Sequence, residues 1–67
     1  MKNNIRQIRK NMKISQEELA HLCGVTRQTI NAIENDKYDP TLSLAFRLSV
    51  HLRTTVDQLF MYEEESQ

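Results

Sequence analysis

Sixty-seven residues, one cysteine and a formal net charge of zero, from nine basic and nine acidic side chains, bound what this chain can be. That length holds one domain, 1–67, with a small core; a lone cysteine excludes an internal disulfide, no apolar run reaches the ~20 residues of a membrane span, and no signal peptide opens the chain, so a cytoplasmic protein is expected. The charge is uneven, with Lys2, Arg6, Arg9, Lys10 and Lys13 at one end and Glu63, Glu64 and Glu65 at the other, so the neutral total does not exclude an anionic partner.

Asn3 or Asn4 caps a first helix over residues 5–12, where Ile5, Ile8 and Met12 form one apolar stripe. Ser15-x-x-Glu18 is a capping box that opens a second helix, and Glu17 and Glu18 also suit its positive end. Leu19 and Cys23, like Ala20 and Gly24, share a face at four-residue spacing. Gly24 is the only glycine, and it stands where this helix must end on a left-handed residue. Val25 tucks in, and Thr26 caps a third helix over 27–35 with Ile30 and Ile33 facing inward. Thr26, Arg27, Gln28, Thr29, Asn31 and Ala32 are left on or near its outer face.

Asn35 is expected to adopt a left-handed cap and Asp36 an Asx-turn, and Pro40 holds Asp39 extended before the next element. Thr41 caps a fourth helix over 42–52, with Leu42, Ala45, Leu48, Ser49 and Leu52 on its core face. Leu44, Phe46 and Val50 are left over; Phe46 and Val50, four apart, form a second apolar spot that suits a dimer seam. Thr55-x-x-Gln58 is a second capping box, opening a short helix through Phe60. Val56, Leu59 and Phe60 are its apolar residues, and Met61 and Tyr62 continue the run; Leu59, Phe60 and Tyr62 join Phe46 and Val50 as candidate dimer residues.

The chain has no nucleophile–base set, no metal cluster and no phosphate-cradling glycine loop, so neither an enzyme nor a cofactor is expected. Cys23 reads as a small buried hydrophobe. His21 and Cys23, two apart on a helix, diverge and do not form a metal pair. The outer face of the third helix carries side chains suited to the major groove. Arginine pairs with guanine, glutamine with adenine, and threonine or alanine methyls meet the thymine methyl.

Gln16, Leu19, Ala20, Cys23, Gly24, Val25, Ile30 and Ile33, followed by Ile33-Glu34-Asn35, closely resemble the helix-turn-helix of the Cro and phage-repressor type, the Xre family. The resemblance covers nearly the whole chain, with the helix-turn-helix at about 16–35. It implies an all-α, five-helix, lambda-repressor-like DNA-binding domain. Small stand-alone members add a two-stranded β ribbon joining the chain ends, which here is expected to pair Met1–Asn3 with Met61–Glu63. The family's glycine after the recognition helix is replaced by Asp36.

The same resemblance implies site residues. Thr26, Arg27, Gln28, Asn31 and Ala32 are expected to read bases, and Gln16, Thr29, Asn35, Lys37 and Tyr38 to bind DNA phosphates. Thr29 is open to either role. Arg9 read alone is a solvated cation, a phosphate ligand or an ion-pair partner; the resemblance implies a structural pair with Glu34. The expected function is a homodimeric regulator of double-stranded DNA, a repressor on a palindrome-like operator. The alternative is a protein-interaction module, such as an antitoxin or restriction-system controller, with a regulatory protein partner and DNA binding as autoregulation.

Overall fold

A computed structural model of the protein describes residues 1–63. The elements run β1 (Lys2–Asn3), α1 (Ile5–Asn11), α2 (Gln16–Cys23), α3 (Arg27–Glu34), α4 (Leu42–His51), α5 (Val56–Leu59) and β2 (Phe60–Met61). Glu64 and Glu65 of the acidic end lie outside the described residues.

Hydroxyl side chains start four of these helices. Ser15 Oγ accepts the Glu18 amide at 3.0 Å while Glu18 Oε1 accepts the Ser15 amide at 2.9 Å, completing the capping box. Thr26, Thr41 and Thr55 each accept the amide three residues on, at 3.3 Å. The second capping box forms only by half: Gln58 Oε1 takes the Thr54 hydroxyl at 3.3 Å. At α1 the cap comes from Asn3, whose Oδ1 accepts the Ile5 amide at 3.1 Å.

The helix ends share one device. Lys13, Gly24, Asp36 and Arg53 all have φ between 57° and 71°, each just past a helix. In each, the left-handed residue and its successor return amides to the last turn: Gly24 to the His21 carbonyl and Val25 to Ala20, Asp36 to Ile33 and Lys37 to Ala32. The pairs Lys13 to Lys10 with Ile14 to Arg9, and Arg53 to Val50 with Thr54 to Ser49, repeat it. These are Schellman motifs, which satisfy carbonyls that a helix leaves open. At α3 the left-handed residue is Asp36 and not Asn35, whose φ is −93°.

The core is Ile5, Leu19, Ala20, Cys23, Ile30, Ile33, Leu44, Ala45, Leu48, Leu52, Leu59 and Phe60, backed by Ile8, Met12, Ile14, Val25 and Val56. On α4 the inward residue of the first turn is Leu44. Leu42, placed on the core face by spacing, is 71% exposed because it stands at the helix mouth beyond the packed turn. Leu59 and Phe60 are buried in the monomer, so they cannot line a dimer surface as expected; the chain turns Phe60 inward to close the core below α4.

The chain ends pair as an antiparallel ribbon with Lys2 opposite Met61 and Asn3 opposite Phe60. Pairing begins one residue earlier than expected because Phe60 leaves the helix and takes extended backbone, φ −111° and ψ 142°. Asn3 ties this ribbon to α3: its Nδ2 donates to the Ile33 carbonyl at 2.8 Å.

Candidate nucleic-acid interface

The turn between α2 and α3 sets the angle at which α3 is presented. Gly24 holds it at φ 71°, and Arg47 of α4 reaches across to donate Nη1 to the Cys23 carbonyl at 2.7 Å. Ala20, buried under α3, leaves room for the close approach. Nothing in the spacing of Arg47 within its own helix signals this contact, since its partner is a backbone atom 24 residues away.

Ile30 and Ile33 are buried, which turns the opposite face of α3 outward. Thr26, Arg27, Gln28 and Asn31 are exposed, and Thr29 and Ala32 are half-buried. Arg27 and Gln28 make no side-chain hydrogen bond among the described residues, so their donors and acceptors face solvent unspent. Thr26 and Thr29 are partly committed: their hydroxyls lie 3.1 Å apart and Thr26 caps the helix. Lys37 and Tyr38 lie exposed just past the end of α3.

At the other end of α3 the side chain of Glu34 has no solvent exposure. Arg9 Nε donates to its Oε2 at 2.8 Å, and Arg9 Nη2 to Oε1 at 3.3 Å. Gln16 Nε2 donates to Oε1 at 3.0 Å and Arg6 Nε to the same atom at 3.3 Å. Burial pushes the Glu34 carboxyl upward, but the bonds from Arg9, Gln16 and Arg6 outweigh it and hold it below the ordinary carboxylate range. Arg9 spends its remaining reach on the Ile14 carbonyl at 3.0 Å.

The network continues along the surface. Arg6 Nη2 donates to Asn35 Oδ1 at 3.0 Å, and Asn35 Nδ2 donates to the Asn31 carbonyl at 2.9 Å and to Asn31 Oδ1 at 3.2 Å. A long contact of 3.5 Å from Asn31 Nδ2 to Gln16 Oε1 closes the circuit. Gln16, Asn31 and Asn35, expected as separate DNA contacts, are thus one hydrogen-bonded set around Glu34. Arg6 was not singled out by sequence reasoning. Its position three residues before Arg9, on the same helix side, is the signal that would have found it.

Cys23 is buried and burial raises its thiol pKa, with Arg47 opposing, so it is an inert core side chain. Among the described residues there is no cluster of metal ligands, and no helix is long and apolar enough to cross a membrane.

The helix-turn-helix family model matches residues 5–59, which spans α1 through α5. The chain belongs to the helix-turn-helix family of Xre type. Curated relatives of this family include an HTH-type transcriptional regulator of Methanocaldococcus jannaschii, 43% identical over 65 residues, covering 97% of this chain and 98% of the relative. Another is the regulator YgzD of Bacillus subtilis, 39% identical over 66 residues, covering 98% and 100%. Among solved structures, the restriction-modification controller protein C.AhdI of Aeromonas hydrophila superposes with a TM-score of 0.78 at 28% identity, covering 85% of this chain and 86% of that one. The hypothetical transcription factor NHTF from Neisseria gives the same TM-score at 34% identity, over 87% of this chain and 67% of its own. A helix-turn-helix transcriptional regulator binds DNA.

Proposed function

We propose that this regulator is a sequence-specific repressor that binds a palindrome-like operator as a homodimer, with α3 of each protomer in the major groove. The observation that carries the reading is the pair Arg27 and Gln28: both exposed, both unspent among the described residues, and both in the first turn of the helix whose N-terminal part meets base edges in this motif. Thr26, Asn31 and Ala32 support them. Gln16, Asn35, Lys37 and Tyr38 flank that face and suit phosphate contacts, with Thr29 at the boundary between roles.

One α3 covers a half-site of a few base pairs, so specificity calls for two. Exposed Leu42, Phe46 and Val50 stand at four-residue steps along α4, and Tyr62 is exposed beside the ribbon. Phe46, Val50 and Tyr62 remain the candidate pairing surface, to which Leu42 is added. Repression follows from occupying promoter DNA in competition with polymerase, in a cytoplasmic protein with no catalytic task.

Likeness to C.AhdI favours a second reading, a controller in a restriction-modification system that works with a regulatory protein partner. A selection of bound duplexes from a random pool at two salt concentrations separates the two. A palindrome with half-sites about one helical turn apart supports the homodimeric repressor. Binding without an enriched motif, lost at moderate salt, supports the partner-dependent protein.

A further inference from the structure

Arg6 is the one cation of the Glu34 network that stands in solvent. Its side chain is 50% exposed, against 10% for Arg9 and none for Glu34. Arg9 alone cancels the buried carboxylate, so the charge of Arg6 is surplus and leaves the network with a net charge of about +1. Arg6 lies between two side chains proposed to meet the duplex backbone. Its Nε and the Nε2 of Gln16 approach the same Glu34 oxygen, at 3.3 and 3.0 Å, and its Nη2 bonds Asn35 Oδ1 at 3.0 Å.

A guanidinium carries five N–H donors in a rigid fork. Two of those on Arg6 are spent as above, and Nη1 makes no bond among the described contacts. The spent pair fixes the plane of the fork, so the open donors are held in place before any ligand arrives. An oriented arginine of this kind loses little freedom on binding and matches the oxygens of a phosphate.

We propose that Arg6 is a preformed clamp for one DNA phosphate per half-site, seated between Gln16 and Asn35. The proposal rests on the DNA-binding reading above and adds to it a contact from α1, outside the helix-turn-helix. The plain alternative is that Arg6 only braces Glu34, in which case its loss lowers stability without touching the duplex.

The test is a phosphate scan with the full chain on its selected duplex, neutralising one phosphate at a time as methylphosphonate. At one position per half-site, wild type should lose about tenfold in affinity while Arg6→Gln loses nothing further. The salt slope of Arg6→Gln should also shrink by about 0.9 per protomer relative to wild type. Arg53→Gln, the same change in net charge at the α4–α5 turn, controls for a general charge effect and should keep the wild-type slope. Melting curves set the temperature at which both variants are folded. Equal slopes for wild type and Arg6→Gln, or the same sensitivity of both to every methylphosphonate, would overturn the clamp while leaving DNA binding intact. Wild type failing to enrich or bind any duplex would overturn the clamp and the DNA-binding reading together.

Discussion

Glu34 is an anion without access to water, and its stability depends on donors from two other helices. Replacing it with glutamine leaves Arg9 buried beside a neutral amide, and removing one partner of a buried pair costs about 3–5 kcal/mol. A domain of this size holds roughly 3–10 kcal/mol in total, so Glu34→Gln should unfold at much lower denaturant concentration than wild type; an unchanged midpoint would show that the pair contributes nothing. The sign of the pH effect follows from the lowered carboxyl. A group whose folded pKa is depressed stabilises the fold above its unfolded value, about 4.3, and loses that contribution as pH falls through the folded value. Wild type should therefore lose stability below about pH 4.3 more steeply than Glu34→Gln, and parallel acid-unfolding curves would contradict the assignment. Lys37 is exposed and unpaired among the described residues, so Lys37→Ala should flatten the salt dependence of DNA binding by about 0.9 with no change in base preference. A slope equal to wild type would remove Lys37 from the phosphate contacts.

Four helices end on a left-handed residue, but only one of the four is glycine. A Cβ at Gly24 would meet Arg47 Nη1 at 3.5 Å, an ordinary contact, so the obstacle to substitution is the backbone at φ 71° and not space. Gly24→Val should cost about 1–3 kcal/mol. The converse holds at Asp36, where φ is 61° and the family pattern has glycine: Asp36→Gly should raise stability by up to about 1 kcal/mol. Thermal melts of the two variants moving in opposite directions would support this account of the caps, and a stabilised Gly24→Val would refute it. These termini also mark where sequence reading stops. Ser15, Thr26, Thr41 and Thr55 announce helix starts because a hydroxyl cap is local chemistry, and Gly24 announces an end because glycine is cheap there. Lys13 and Arg53 announce nothing, since a residue of any ordinary type can be held left-handed once two amides return to the last turn; at α3 the sequence points to Asn35, one residue too early. Leu42 and Leu44 were exchanged for a similar reason: the apolar stripe of a helix is fixed by periodicity only after its first turn has a neighbour to pack on. The site was legible to the same degree. The outer face of α3 could be read from spacing and the Arg9–Glu34 pair from the resemblance alone, whereas Arg6, Arg47 and Asn3 act across the fold on atoms whose proximity only folding creates.

A neutral chain can bind a polyanion where its charges are unevenly placed. Glu34 is buried and compensated, and Asp36 and Asp39 are drawn toward the first residues, Asp36 by Asn3 at 3.4 Å and Asp39 by the Met1 amine at 2.9 Å. That arrangement leaves Arg27, Lys37 and the surplus of Arg6 around α3. The ribbon that joins the chain ends also anchors α3, through Asn3 and the Ile33 carbonyl, so the ends and α3 form one unit. The apolar side chains along α4 face away from the core, and burying them between two copies is the pairing mode argued above. Phe46→Glu should shift the protein to monomer in sedimentation and lower operator affinity more than half-site affinity; an unchanged dimer would place the seam elsewhere.

If α3 reads bases through Arg27 and Gln28, their removal changes affinity in a base-dependent way. Wild type, Arg27→Ala and Gln28→Ala are titrated against the selected operator and every single-base variant of one half-site. Each substitution should cost about 1–3 kcal/mol on the selected site and erase the preference at its own base position while leaving the other positions intact. Equal losses on every sequence, with all preferences preserved, would mean that these side chains only touch the backbone and that α3 is not the reader.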